Sequence, residues 1–463
     1  MRYQYMAGLI MKQLIFISCF HMATAVLIWN YRNSQTHIPR NNLGQPLILT
    51  PYLVKNRIEE AKRKSEVHLK DFGKVKSYSG FFTVDEGAES NLFFWFFPSA
   101  NDYKNDPVLL WLQGGPGASS LYGLFEENGP FAVKTSSVSF RQYSWHKTHS
   151  LLYIDQPVGT GFSFTKRNYV SNQTQVGEHL YIALLQFFTM FSEIRENKFF
   201  ISGESYGGKY VPAIAYTIHN KNPKAIIKIN LQGLLIGNGY SDPINQINYG
   251  DYLYQLGLID FSALEHLHKL ESLTKEAIIF RQFASARRRI DEIFNFCGTT
   301  IGQVSVYNFL QTTNFIPDED LWVKFIVKDQ VRNAIHVGNQ PFHVSSKTVY
   351  SNLKLDMVKS VAEWISELLS YYRVLIYNGQ LDIIVAYVLT ENYLKNLKFD
   401  SSKEYLNAAR NIWIFNGTIS GYVKTAGNLT EVIIRNAGHM APIDQPSVVY
   451  ELISKFIQNK HFS

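Results

Sequence analysis

Four runs of this 463-residue chain are apolar almost without interruption, at residues 108–112, 151–154, 199–202 and 229–236. Strands buried on both faces read this way because neither face alternates with solvent, as in a parallel sheet covered by helices. Ahead of them, residues 77–84 and 91–97 are rich in aromatic and β-branched residues and are separated by Asp85-Glu86-Gly87. That pattern predicts an antiparallel hairpin. Residues 176–191 and 210–219 space their apolar positions at three and four, the period of a helix with one buried face. Strand signals return at residues 374–377, 411–415 and 431–435. A helix presenting Met357, Val361, Trp364, Ile365 and Leu368 precedes the first of these, and another over residues 448–457 closes the chain.

Two stretches break this alternation. Residues 26–70 are polar, with 54–68 rich in Arg, Lys and Glu, and read as a solvated amphipathic helix. Residues 241–344 lack strand patterning and carry helical periodicity over 261–283, followed by Arg287-Arg288-Arg289. The arginine run is expected on a solvated face, with an exposed processing site as the lesser option. Alternating strands and helices with one interruption predict an α/β class with a central, mostly parallel sheet and a helical insertion, or cap. The expected divisions are a signal peptide over 1–25, an N-terminal segment over 26–70, a first core part over 71–240, the cap over 241–344 and a second core part over 345–463.

The signal peptide rests on Lys12, an apolar run from Leu14 and Ala23-Thr24-Ala25, a small-x-small cleavage pattern. Residues 14–29 number 16 and include His21, which is short for a membrane span. Cleavage after Ala25 removes Arg2 and Lys12 and no acid, taking the formal charge from +7 to +5. Three N-x-[ST] sequons, at Asn172, Asn416 and Asn428, fit passage through the secretory pathway and are the expected glycosylation positions. No later segment approaches 18 consecutive apolar residues, so the mature protein is expected to be soluble, with no membrane partner and a secreted or lysosomal location. A homodimer stays open.

Composition excludes whole classes. With 46% hydrophobic residues, 28 Tyr and 32 Phe, the chain can bury a large core, which rules out disorder and coiled coil. The 45 Lys and Arg are interspersed with 38 acids, which does not suggest a nucleic-acid groove. Thirteen dispersed His and no H-E-x-x-H lead to the expectation of no metal and no cofactor. Only two Cys occur, Cys19 and Cys297, and signal cleavage would leave one, so a disulfide scaffold is out.

The strongest chemical motif is Gly203-Glu204-Ser205-Tyr206-Gly207, directly after an apolar run and before a helix. A nucleophilic serine needs this spacing, because small residues on both sides allow a tight turn that exposes the hydroxyl. Gly203–Lys209 also approximates a phosphate-binding loop, but Tyr210 stands where a magnesium-ligating Ser or Thr belongs, so the nucleotide reading is rejected. A serine of ordinary pKa needs a general base and that base an orienting carboxylate, arriving here in the chain order Ser, acid, His. His439, just past the strand at 431–435, and Asp382, just past that at 374–377, fit the order. The amide of Tyr206 and a glycine loop, Gln113-Gly114-Gly115-Pro116-Gly117, would supply oxyanion donors.

With these residues in view, the chain resembles the serine carboxypeptidases, especially their vitellogenic carboxypeptidase-like branch. The resemblance spans about residues 50–455 through five ordered blocks: WLQGGPGASSLYGLFEENGP, YIDQPVGTGFSF, FISGESYGGKYVPAIA, YNGQLDIIV and VIIRNAGHMAPIDQP. It implies an α/β-hydrolase fold with a helical insertion, Ser205, Asp382 and His439 as the triad, and Gly115 and Tyr206 as the oxyanion hole. It further implies a site for the free C-terminal carboxylate of a peptide substrate at Gln113, Gly114, Glu127 and Glu204. Gln113 departs from the family's Asn, which is expected to displace the carboxylate. Two Glu facing a carboxylate cannot all ionise, so peptide hydrolysis is expected to favour acidic pH. The family's several disulfides are missing, Ala118 standing where one half-cystine would be, and Cys297 is expected to be a small buried hydrophobe. The implied activity is release of C-terminal amino acids through an acyl-enzyme. The alternatives are acyl transfer to another nucleophile, and a catalytically quiet binding or protective protein on the same scaffold.

Overall fold

Val108–Leu112, apolar at all five positions, forms a strand whose residues divide between two hydrophobic layers. Val108, Leu110 and Leu112 meet one layer, and Leu109 and Trp111 meet the other. Continuous apolarity is thus the mark of a strand buried on both sides, each large side chain contributing roughly 1.5–3 kcal/mol on burial. The computed structural model describes residues 36–135, 137–312 and 321–462. The expected signal segment, with Cys19, lies outside the described residues.

Among the described residues ten strands make the main sheet: β1 (Tyr78–Asp85), β2 (Ser90–Phe97), β3 (Val108–Leu112), β4 (Ser150–Ile154), β5 (Phe199–Glu204), β6 (Leu231–Gly237), β7 (Arg373–Gly379), β8 (Asn411–Phe415), β9 (Thr418–Ala426) and β10 (Leu429–Ile434). Their spatial order is β8-β9-β10-β7-β6-β5-β3-β4-β2-β1. Every pairing from β10 through β7, β6, β5 and β3 to β4 is parallel, and those at the two margins are antiparallel. The carboxyl ends of β3, β5, β6, β7 and β10 therefore open on one edge, where a doubly covered sheet offers its crevice.

Helices α1 (Gln173–Met190) and α2 (Gly207–Lys221) cover one face. On the other face lies the closing helix Pro446–Ile457, through Val449, Leu452, Ile453 and Phe456. Between β6 and β7 come α3 (Tyr249–Gln255), α4 (Phe261–Ile279) and α5 (Phe283–Thr300), which bury a third cluster of their own. Residues 321–337 instead pack Trp322, Phe325, Ile326, Val331 and Ile335 into the second layer of the core.

Three local expectations change. The helical pattern over 261–283 is two helices, separated where Arg281 takes a φ of +55°. The arginine run is not a solvated face or a loop: it lies inside α5, where Arg287 is buried and donates to Tyr350 Oη at 2.6 Å beside Asp291. Arg288 alone of the three is exposed. Finally, β9 went unseen in the sequence because its Gly421 and polar positions interrupt any apolar run; a Cβ on Gly421 would fall 2.1 Å from Ile433 O.

Candidate active site

β5 ends at Glu204 and α2 begins at Gly207, so the chain must reverse within two residues. Ser205 does so with a φ of +61°, a region L-residues enter at a cost. Its amide donates to Gly237 O at 3.1 Å and its carbonyl accepts from Tyr240 N at 2.9 Å, fixing the turn against the end of β6. The flanking glycines are sterically required: a Cβ on Gly203 or Gly207 would lie 2.7 or 2.8 Å from Leu112 O.

The loop after β3 runs beside this turn. A Cβ on Gly114 would lie 2.6 Å from Tyr206 N and 2.7 Å from the Ser205 Cβ. Gly115 follows with a φ of +112°. Gly114, directly before Gly115, therefore runs against the Tyr206 amide and the Ser205 side chain. Asp155, buried after β4, secures the loop by accepting from Ser119 Oγ at 2.6 Å, Ser120 N at 3.0 Å and Phe162 N at 3.0 Å. Burial pushes its carboxyl up to about 7, against those three donors.

His439 and Asp382, both buried, meet through a 2.8 Å contact between Nδ1 and Oδ2. Asp382 also accepts from Asn238 Nδ2 at 2.7 Å and from Val385 N at 3.2 Å. Asn238, with a φ of +43°, sits directly after β6 and receives the Gly379 amide at 3.2 Å on its Oδ1. It links the Asp382 loop to the strand end that holds Ser205. Sequence reasoning missed it, although Gly237-Asn238-Gly239 after an apolar run is the same strand-end signal that marks Asp382. Tyr307 carried no signal. Its carbonyl accepts from His439 N at 2.6 Å, its ring lies 5.2 Å from the imidazole, and neighbouring Val306 O takes the amides of Ile383 and Ile384.

A second polar group lies next to the turn. Gln113 Nε2 donates to Glu127 Oε1 at 3.1 Å and to Glu204 Oε1 at 3.2 Å, while Trp111 Nε1 holds the Gln113 carbonyl at 2.8 Å. Glu127 ends the turn Gly123–Glu127, whose wide i→i+5 pitch is closed by Asn128 N on Gly123 O. Arg141 steadies that turn by donating to the carbonyls of Phe125, Gly129 and Phe131. Burial pushes Glu127 up to about 7, with hydrogen bonds to Glu204 and Gln113 and then the charges of His439 and Arg141 holding it down. Burial, then the facing Glu127 charge, raises Glu204 well above the usual carboxylate range. Such a pair retains protons where exposed carboxyls would have lost them.

Of the remaining sequence-predicted positions, Asn416 is exposed at the β8–β9 turn with a φ of +51°. Asn172 caps α1 by accepting from Gln175 N at 3.0 Å, and Asn428 donates to Leu369 O at 2.9 Å. Cys297 is buried in the cap cluster, its thiol pushed up to about 12 by burial, as a small hydrophobe would be. Among the described residues no group of three His, Cys, Asp or Glu could hold a metal.

A family model described as serine carboxypeptidase matches residues 69–459. The venom serine carboxypeptidase of Apis mellifera is 49% identical, over 90% of this chain and 92% of its own length. The vitellogenic carboxypeptidase of Aedes aegypti is 46% identical, over 97% and 98%. Among solved structures, a prohormone-processing carboxypeptidase from Saccharomyces cerevisiae superposes with a TM-score of 0.77 at 26% identity, covering 86% of this chain and 96% of that one.

Proposed function

The chain belongs to the serine carboxypeptidase family, and we propose that Ser205, His439 and Asp382 carry its hydrolysis of peptides. It has the α/β-hydrolase fold and acts on peptide substrates. In this reading His439 Nε2 takes the proton of Ser205 as Oγ attacks the last peptide carbonyl. Asp382 holds the imidazole through Nδ1, and its own bonds to Asn238 and Val385 keep it from turning away. The Gly115 and Tyr206 amides receive the developing oxyanion. His439 then protonates the leaving amine, the C-terminal amino acid departs, and water hydrolyses the acyl-enzyme by the same proton path in reverse.

The observation that carries an exopeptidase reading is the buried group of Gln113, Glu127 and Glu204 beside the nucleophile turn. A general esterase has no task for it. With protons retained, each carboxyl can donate to a substrate carboxylate, and the Gln113 amide and Gly114 N–H add neutral donors. Gln113 is already shared between both Glu in the free enzyme, so substrate must displace part of that arrangement. As pH rises through about 7, Glu127 loses its proton; a negative site then repels the substrate carboxylate. The enzyme accordingly works best at acidic pH on peptides.

The same reading takes residues 1–25 as a cleaved signal, Asn172, Asn416 and Asn428 as glycan acceptors, and a secreted or lysosomal destination. Among the described residues no helix is long and apolar enough to cross a membrane. The cap is assigned within the expected 241–344 to the residues that share the third cluster. The deciding experiment compares a peptide with its C-terminally amidated analogue across pH. The peptide is expected to lose kcat/KM as pH rises through about 7, where the amide holds its own up to about 8, and S205A abolishes both. Coincident profiles sink the carboxylate site.

A further inference from the structure

Lys209, four residues after Ser205, is fully buried in the first turn of α2. An ammonium is retained in such a place only if its hydrogen bonds and charge are met. Its Nζ donates to Asp356 O at 2.5 Å and to Lys359 O, with Asp356 Oδ2 at 3.8 Å. Asp356 in turn accepts from Tyr206 Oη at 2.9 Å and from Gln173 Nε2 at 2.6 Å, and Gln173 also reaches Tyr206 Oη at 3.2 Å. Three separated parts of the chain, the start of α1, the start of α2 and the turn Asp356–Val358, thus converge on one phenol. The hydrolytic steps above use none of these side chains.

Tyr206 is the residue whose amide follows Ser205. The backbone beyond it is Gly207-Gly208, which has no side chains to hold it. The phenol of Tyr206 and the ammonium of Lys209 are the side-chain anchors on this turn after Ser205, and both end on Asp356. We propose that Asp356 and Lys209 are positioning residues for the reaction: by tethering Tyr206 they hold its amide in the direction from which it stabilises the oxyanion. The proposal rests on the assignment of the Tyr206 amide to that role.

The groups facing Lys209 are Asp356 and Asp242 as acids, Lys359 as a second cation, and the rings of Tyr206 and Tyr240 at 5.5 and 6.0 Å. Tyr240 is faced by Arg287 from α5. Burial brings Lys209 down to about 8, Asp356 and Asp242 oppose that, and Lys359 adds to it. Above that pH the buried carboxylate loses its cation and the tether weakens. The carboxylate-binding residues are not part of this network, so kcat should fall with KM unchanged.

The test uses the full chain, a C-terminally amidated peptide, and the rate at which a fluorophosphonate labels Ser205 between about pH 6 and 10. Losing an oxyanion donor outright lowers kcat by about 10²–10³-fold, so misaligning one is expected to cost on the order of tenfold in D356N and roughly threefold in Y206F. KM should stay within about twofold, D356E should recover part of the loss, and the wild-type labelling rate should decline above about pH 8. A merely structural role would lower thermal stability and leave kcat of the folded variants intact. Wild-type kcat in folded Y206F and D356N overturns the proposal. Should D356N not fold, Y206F and the wild-type profile decide, a labelling rate flat to about pH 10 being contrary. Failure of the wild type to label at any pH would instead remove the underlying assignment of Ser205.

Discussion

Asn238 is the residue on which the acid and base side of the site depends. It gives Asp382 its shortest amide donor, at 2.7 Å, in a place closed to water. Removing a donor to a buried charged acceptor costs about 1.5–3 kcal/mol, which is on the order of 10–100-fold in rate if the penalty falls on the imidazole's alignment. N238A is therefore expected to lower kcat by that range with KM nearly constant. Steady-state kinetics on an amidated peptide check it, and a kcat within about twofold of wild type would remove Asn238 from the machinery. Glu127 offers a pH prediction with a definite sign. Its folded pKa of about 7 lies above the ordinary 4.5, so between those values the folded state binds more protons than the unfolded chain. Its stabilising contribution is complete below about 4.5 and is lost as pH rises through about 7. E127Q should flatten that part of the stability–pH curve and also extend peptide hydrolysis to higher pH, because an amide donates at any pH. Melting curves and kcat/KM profiles read the two effects separately.

At the scale of elements, strands were legible wherever an apolar run marks them, whether both faces are buried, as in β3, or one is exposed, as in β8. β3, β4 and β5 announce themselves because alternate side chains such as Leu110 and Trp111 fill opposite layers. β9 is half exposed and broken by Gly421, so no apolar run marks it. The triad candidates were legible for a related reason: each follows a buried strand, and parallel pairing carries all those ends to one edge. Asn238 obeyed the same rule and was passed over, while Tyr307 was invisible because its contribution is a backbone carbonyl. Helix boundaries were hidden where no glycine marks them. α4 ends with Gln282 N on Ala277 O and Arg281 N on Ile278 O, the paired bonds of a left-handed helix stop, and an exposed Arg supplies the positive φ. Glycine takes that conformation without strain. R281G is expected to stabilise the protein by about 0.5–1 kcal/mol, seen as a higher denaturant midpoint with unchanged activity. A lower midpoint would mean the Arg281 side chain holds the cap by contacts that outweigh its backbone strain.

On the scale of the whole molecule, the cap buries its own cluster, which Val358, Ile383, Ala386 and Leu389 join from outside the cap. Two of those, Ile383 and Ala386, belong to the loop that begins at Asp382. Val306 O holds the Ile383 amide and Tyr307 O the His439 amide, so the last stretch of the cap ties both halves of the acid–base pair. Cap loosening should therefore abolish activity while the ten-stranded sheet is still intact, since stability is not uniform across such a fold. The chain carries its own reporters for this. Residues 241–312 contain no Trp, whereas Trp95, Trp111, Trp145, Trp322 and Trp413 are buried in the core and Trp364 packs against it, so the indole signal of the described residues follows the core. Cys297 lies buried in the cap cluster and is the free cysteine among the described residues. Because its thiol is held up near 12 by burial, it should react with a thiol reagent only once the cap opens. On stepwise heating, loss of activity and labelling mapped to Cys297 are expected together, followed at higher temperature by the fluorescence change. Three coincident transitions would show instead that cap and core unfold as one unit. Thiol reductants should shift neither the loss of activity nor the fluorescence change, because no described cysteine is in a disulfide.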